Sequence, residues 1–223
     1  MNLATIRQEV QTRSGDTDFS ANSIDRWVNF CIKQLVARAD WPWAIKTLGT
    51  GTTTANTQEY SLPTDFKKMI SVRVGTASTT SETDAEEYSF VPYISKNVST
   101  DGNMFYLNPD TATYGLIPKP STTGLPVYLK YYKIPADLAS SDSPPFPETY
   151  HEAVVQFALQ RYWESNDDYG KAAFHNAEYE NMVDLMKSDL LVRATGQLTR
   201  VRDVRELVGL SHPQKLNTVV VGK

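Results

Sequence analysis

Apolar residues recur every three or four positions at both ends of the chain and alternate with polar ones between them, which predicts helices flanking a strand-rich middle. Leu3, Ile6 and Val10 mark a short amphipathic helix over residues 2–14, with Asn2 available as its cap and Gly15 just past its end. After a polar turn, Phe19 and Ser20 lead into a second helix. Its Ile24, Trp27, Val28, Cys31, Leu35 and Val36 share one stripe while Asp25, Arg26, Asn29 and Lys33 face away, and it ends near Asp40, ahead of Trp41-Pro42-Trp43. Helical spacing returns after Pro144-Pro145-Phe146-Pro147, where Tyr150, Ala153, Val154, Phe157, Ala158 and Tyr162 form a continuous stripe and Pro147 suits a first helical turn. A break at residues 166–170 precedes a fourth helix, about 171–191, with Ala173, Ala177, Met182, Met186 and Leu190 as its expected buried face. The short connection makes this last pair antiparallel.

Between residues 41 and 147 Gly, Thr, Ser and Pro become frequent and aromatic residues cluster, a β texture. The expected strands are 45–48, 58–61, 69–74, 88–91, 104–107, 114–117 and 126–132, separated by turn signals such as Ser61-Leu62-Pro63-Thr64-Asp65, Thr100-Asp101-Gly102-Asn103 and Pro118-Lys119-Pro120. Residues 75–87 read as an exposed loop too polar to pack. Each helical stripe needs a partner, and the simplest solution joins the two terminal pairs. The expected fold class is therefore α+β: a four-helix bundle from the N- and C-terminal helix pairs (1–40 and 147–192), an inserted antiparallel β subdomain (41–146) built as a small sandwich or barrel, and an extended C-terminal arm (193–223).

Charge sharpens the picture of that arm. Residues 193–223 hold six Lys/Arg against two acids, a net of +4, which leaves the first 192 residues at −8 out of an overall −4. The arm has no helical apolar face and ends in the β-branched run Val219, Val220, Val221, so it reads as a segment that orders on another protein. Ordering some 25 residues costs on the order of 25–50 kcal/mol of backbone entropy, which demands a large partner surface. Leu198, Val201, Val204, Leu207 and Leu210 supply apolar anchors if residues 200–209 form a short helix, and the valine run suits strand addition to an exposed edge. Arg200, Arg202, Arg205 and Lys215 are its cationic contacts. The competing outcome is an arm that folds back on its own subunit. An acidic body is ill suited to grip nucleic acid over a broad surface. The N-terminal residues lack the order of a signal peptide, and no run approaches the 18–20 apolar residues of a membrane span, so the expectation is a protein made in the cytoplasm with no membrane partner.

The residues that could carry catalysis or hold a metal lack the neighbours such chemistry needs. His151, His175 and His212 lie on different elements without ligand-spaced neighbours, and His151-Glu152 reads as helix-surface polarity. Cys31 falls on a buried helical face as a small core hydrophobe. Gly49-Thr50-Gly51-Thr52 lacks the Lys-Ser/Thr of a phosphate loop, and Asp84, Glu86 and Glu87 read as a solvated charge run. No nucleophile elbow occurs. The expectation is a non-enzyme without cofactor or metal. Trp41, Trp43, Tyr88, Tyr93, Tyr128, Tyr131 and Tyr132 leave one rival of another class, a carbohydrate or single-stranded nucleic-acid module stacking on the β insert, although core and subunit-contact roles suit these rings better.

Several phrases in this order resemble the head-to-tail connector (adaptor) proteins of tailed double-stranded DNA bacteriophages. They are Ser23-Ile24-Asp25-Arg26-Trp27-Val28-Asn29 with Asp40-Trp41-Pro42-Trp43; Tyr60-Ser61-Leu62-Pro63-Thr64-Asp65-Phe66; Leu116-Ile117-Pro118-Lys119-Pro120; and Leu129-Lys130-Tyr131-Tyr132 before Pro144-Pro145-Phe146-Pro147-Glu148-Thr149-Tyr150. The resemblance implies a helical bundle with a β insert, copies closed into a ring that matches a dodecameric portal, and a C-terminal extension docked on the portal protein. It also implies a channel for passing double-stranded DNA without sequence-specific contact, a docking surface for a downstream neck or tail protein, and a place in the virion neck after assembly in the host cytoplasm. A tail-completion or stopper protein of the same neck is the nearest alternative.

Overall fold

The structure, a computed structural model, describes residues 1–93 and 102–194. Four helices and seven strands occur among them: α1 (Leu3–Ser14), α2 (Ala21–Arg38), β1 (Ile45–Thr52), β2 (Glu59–Ser61), β3 (Phe66–Val74), β4 (Glu86–Phe90), β5 (Met104–Asn108), β6 (Thr113–Ile117), β7 (Pro126–Lys133), α3 (His151–Ser165) and α4 (Tyr169–Ala194). The class is α+β, as the periodicity predicts.

Local chemistry sets the first helix. Asn2 Oδ1 accepts from the Thr5 backbone N–H at 2.8 Å, and Gly15 closes the C-terminus at φ 76°, a conformation that glycine adopts without a Cβ penalty. The helices share one core. Ile6 and Val10 from α1, Val28 and Leu35 from α2, Val154 and Leu159 from α3, and Val183 and Met186 from α4 are all buried in it, joined by Trp41 and Phe146 from the connections. Tyr150, just before α3, donates to Asp189 late in α4 at 2.6 Å, which fixes the two as antiparallel neighbours.

One expected stripe is wrong in detail. Ala173 and Ala177 of α4 are exposed, and its buried face runs through Ala172, Tyr179, Val183 and Met186, with Met182 and Leu190 partly covered. Alanine is too small to reveal which side of a helix faces in; the ring of Tyr179, packed edge-on to Phe157 at 5.2 Å, decides the matter.

The strands form a curled seven-stranded sheet in the order β1-β7-β3-β4-β5-β6-β2. Every expected strand is present within a few residues of its predicted bounds. In β7 the alternation is clean, Val127, Leu129 and Tyr131 pointing into a second core with Val72, Phe105 and Leu116. Two expectations need correction. The insert is not purely antiparallel, because β4 pairs parallel with β5, Ser89 opposite Met104 and Phe90 opposite Phe105. The polar stretch 75–87 is not all loop: Glu82–Asp84 forms a 3-10 turn, Ala85 is buried, and Glu86 and Glu87 begin β4. All β4 side chains but Tyr88 are exposed; the strand is held by backbone pairing on both edges, with Tyr88 against the sheet core and Phe90 edge-on to Phe105 at 5.4 Å.

Helices and sheet are clamped where α2 ends. Lys67 at the start of β3 donates to the Val36 carbonyl at 2.6 Å and the Ala39 carbonyl at 2.8 Å, and pairs with Asp40 at 3.0 Å. A cation thus sits where the helix dipole is negative and its last carbonyls lack partners. Lys68 binds the other Asp40 oxygen. Nearby, Asp65 accepts from Tyr131 at 2.7 Å and Lys46 at 2.8 Å. The return from β7 to α3 is strapped along the first two helices, Leu138 N–H donating to Asn29 at 2.8 Å and the Leu3 and Ala4 amides donating to the Asp142 and Ser140 carbonyls.

Candidate functional site

The residues that sequence reasoning assigns to docking, Arg200, Arg202, Arg205, Leu207, Leu210, Lys215, Val219, Val220 and Val221, all lie outside the described residues. What the structure does give is the root of that segment: α4 runs as one helix to Ala194, so the tail is launched from a helix end packed on the four-helix core rather than from the sheet.

Of the polar groups that the sequence sets aside, His212 lies outside the described residues, and the others are accounted for by structure. Cys31 is fully buried, and burial pushes its thiol up to about 12, so it stays protonated and inert. His151 is not helix-surface polarity, a further correction: it is 3% exposed, with Nε2 at 3.0 Å from the Phe146 carbonyl and Nδ1 at 3.0 Å from the Met1 amine. Burial holds its pKa below the ordinary imidazole value. His175 is displaced the same way by burial, its Nδ1 2.7 Å from Gln156. The acidic run is dispersed: Glu87 pairs with Arg73 across β3 and β4 at 2.8 Å, and Asp84 accepts from Ser81 at 2.7 Å. Among the described residues no group of three or more His, Cys, Asp and Glu is placed to hold a metal ion. Gly49 and Gly51 lie inside β1, where the pairing with β7 is irregular between Leu48 and Gly51, and not at the start of a helix.

The aromatic residues are not gathered into a stacking surface. Trp41 is fully buried in the helical core, its indole N–H on the Leu35 carbonyl, with Trp43 stacked on it at 6.0 Å. Tyr131 belongs to the sheet core and Tyr93 leans on Tyr106. A different feature of the sheet was missed from sequence. Glu59 on the edge strand β2 accepts from Tyr106 at 2.9 Å and Thr113 at 3.0 Å, with the Asn108 amide at 3.3 Å. The Tyr106 ring lies flat across Gly115, where a Cβ would come within 2.0 Å of it. The alternation of β5 foretells which of its residues turn inward, but nothing in the sequence pairs Tyr106 with a glycine nine residues on.

Two open surfaces remain. β4 pairs with β3 over Val72–Val74 alone, so the first half of β3 faces β5 across a mainly apolar groove of about 460 Å³ lined by Phe66, Met69, Ile70, Phe90, Phe105 and Leu107 together with Lys67 and Lys68. It continues past Phe66 into a second groove of about 600 Å³ beside Pro92 and Tyr93. On the helices, Phe30 of α2 and Phe174 and Leu185 of α4 are large apolar side chains turned to solvent. No helix among the described residues is long and apolar enough to cross a membrane.

Polar groups tied into packing, two cores clamped together and apolar side chains kept on outer faces define a protein built to contact other proteins. The sequence profile of the SU10 adaptor protein family matches residues 1–203, and the chain belongs to that family. The resemblance to phage head-to-tail adaptors therefore holds, and the family is one of structural adaptors, not a class of enzymes. No curated protein matches the chain.

Proposed function

We propose that the protein is a head-to-tail adaptor of the phage neck: copies close into a ring beneath the portal, continue the DNA channel and present a docking surface to the next neck or tail protein. The observation that carries this reading is membership of the SU10 adaptor family over residues 1–203. On it, residues 1–40 and 147–192 act as a four-helix bundle that forms the body of the ring, and residues 41–146 project from the bundle as a β subdomain. Residues 193–223 are the anchoring arm, with Arg200, Arg202 and Arg205 meeting acidic portal residues and the Val219, Val220, Val221 run adding to a strand edge.

Charge supports the same reading. A body at −8 repels duplex DNA, which suits a bore through which the genome must slide without being held. The launch of the arm from the end of α4 supports it too, because a helix packed on the core fixes where the arm leaves each subunit.

Deleting residues 196–223 tests the arm. Portal pull-down and negative-stain imaging should show rings with the full chain and none with the truncated one, while circular dichroism and the thermal midpoint stay close to those of the full chain. Truncated chains that still decorate portal would remove the arm from the docking mechanism.

A further inference from the structure

The adaptor reading says that copies meet in a ring but not through which faces. We propose that the outer face of α2 in one copy docks on the outer face of α4 in the next, a heterologous contact between an apolar-basic stripe and an apolar-acidic one. The inference rests on the adaptor reading for its partner and on the helices for its geometry.

Phe174 and Leu185 are eleven residues apart, three turns of helix, so their side chains leave α4 within about 20° of each other. Both turn away from the core, at 61% and 59% exposure, and together they leave a second apolar stripe on α4 open to solvent. Ala177 and Asn181 lie between them, short enough for another helix to approach closely, and the stripe is flanked by Glu178 and Asp184. Ala177 is one of the two alanines whose exposure contradicts the simple one-face pattern of α4. That helix has two apolar faces, one of them used inside the subunit.

α2 carries the counterpart. Arg26, Phe30, Lys33 and Ala37 follow one another at helical spacing along its exposed side, with Phe30 48% exposed. Arg26 has a long 3.4 Å contact with Ser23, and Lys33 pairs with Asp137 between two well-exposed side chains. The α2 stripe thus has two cations beside one acid, and the α4 stripe three acids beside two cations, since Asp184 pairs with Lys187 at 2.9 Å and Asp168 with Lys171 at 3.1 Å. The local balances are +1 and −1.

This sign difference selects the mode of pairing. Two α4 faces brought together would set Glu178 and Asp184 against their own copies, and two α2 faces would oppose Arg26 and Lys33, both repulsive. α2 on α4 matches apolar with apolar and cation with acid. Such a contact uses different surfaces on the two partners, so each copy keeps a free face of each kind, and repetition generates a ring when the rotation closes.

Charge reversal in the full-length chain decides it. Arg26→Glu with Lys33→Glu makes both stripes acidic, and Glu178→Lys with Asp184→Lys makes both basic. Each variant alone should lose assembly on the portal, with about a tenfold or larger drop in self-association constant by sedimentation velocity. An equimolar mixture of the two should regain it, because every junction between unlike copies is again complementary, and recovery also proves that both variants fold. Unchanged assembly by either variant alone, or failure of the mixture to recover, overturns the α2–α4 contact. If the variants still bind the portal singly but never as rings, the adaptor reading stands. A wild-type chain that neither binds portal nor self-associates sinks both.

Discussion

Single side chains carry more of this fold than the hydrophobic pattern alone conveys. Gly115 is the clearest case, because any Cβ there overlaps the Tyr106 ring, and Tyr106 is one of the donors that satisfy Glu59. Gly115→Ala must push the ring off the strand and leave a half-buried carboxylate short of a donor. A loss of about 1–3 kcal/mol in urea unfolding is expected, whereas Tyr106→Phe, which removes the hydroxyl and keeps the ring, should cost about 1 kcal/mol. Lys67 is a second case. Lys67→Met keeps the aliphatic stem but strips two α2 carbonyls and Asp40 of their shared cation, and should lower stability by about 1–3 kcal/mol. Its companion Lys68→Met, more exposed and bound to Asp40 alone, should fall within about 1 kcal/mol of wild type. Equal effects would mean that the cap on α2 contributes nothing beyond an ordinary surface pair.

At the scale of elements, protonation distinguishes the helical core from its surface. His151 and His175 are both held below the ordinary imidazole value, chiefly by burial, so the fold favours their neutral forms. Their contribution is complete above about pH 6.5, the unfolded value, and is lost as pH falls through the lowered folded values. Asp40 is held below the carboxylate range by Lys68 and Lys67. Burial raises Asp65, but Lys46 and Tyr131 outweigh it and leave that carboxyl low as well. Those two groups stabilise above about pH 4 and cease to do so only below it. Stability measured against pH should therefore fall in two stages, and His151→Asn should shrink the upper one to the share of His175 while leaving the lower in place. An unaltered upper slope would place the titrating group elsewhere. Element existence was legible because strands 126–132 and 45–48 alternate and helices 2–14 and 147–162 repeat at helical spacing, each signal local to its own stretch. The orientation of α4 was not legible. Ala173 and Ala177 carry no side-chain bulk to mark inside from outside, and the choice is made by Tyr179 meeting Phe157 on another helix. The parallel β4–β5 pair was hidden for another reason: Tyr88 and Phe90 mark β4 as a strand, but the direction of its pairing depends on backbone groups that every residue shares.

The whole molecule is organised by a separation of charge, −8 on the first 192 residues and +4 on the remainder, and that separation was readable by counting. Which contacts it serves was not, since complementarity is a property of two surfaces and the sequence supplies one. The arm and the α2–α4 stripes differ in how they should answer to salt. The proposed docking through Arg200, Arg202 and Arg205 would place several cations against portal acids, whereas each proposed inter-copy junction would pair local balances of only one unit around large apolar side chains. Screening acts within about 10 Å at 0.1 M salt and about 3 Å at 1 M, so raising salt from low to high should weaken portal capture of the full chain severalfold or more. Wild-type copies already seated as neighbours should lose less, because burial of Phe30, Phe174 and Leu185 is insensitive to ionic strength or strengthened by it. The measurement is a salt series read two ways on one sample, portal-bound protein by pull-down and ring occupancy of the retained particles by imaging. Capture that falls with salt while occupied particles keep full rings separates the two interfaces. Parallel decline of both would mean that the inter-copy contact is also mainly ionic, with the apolar stripes playing no part in it.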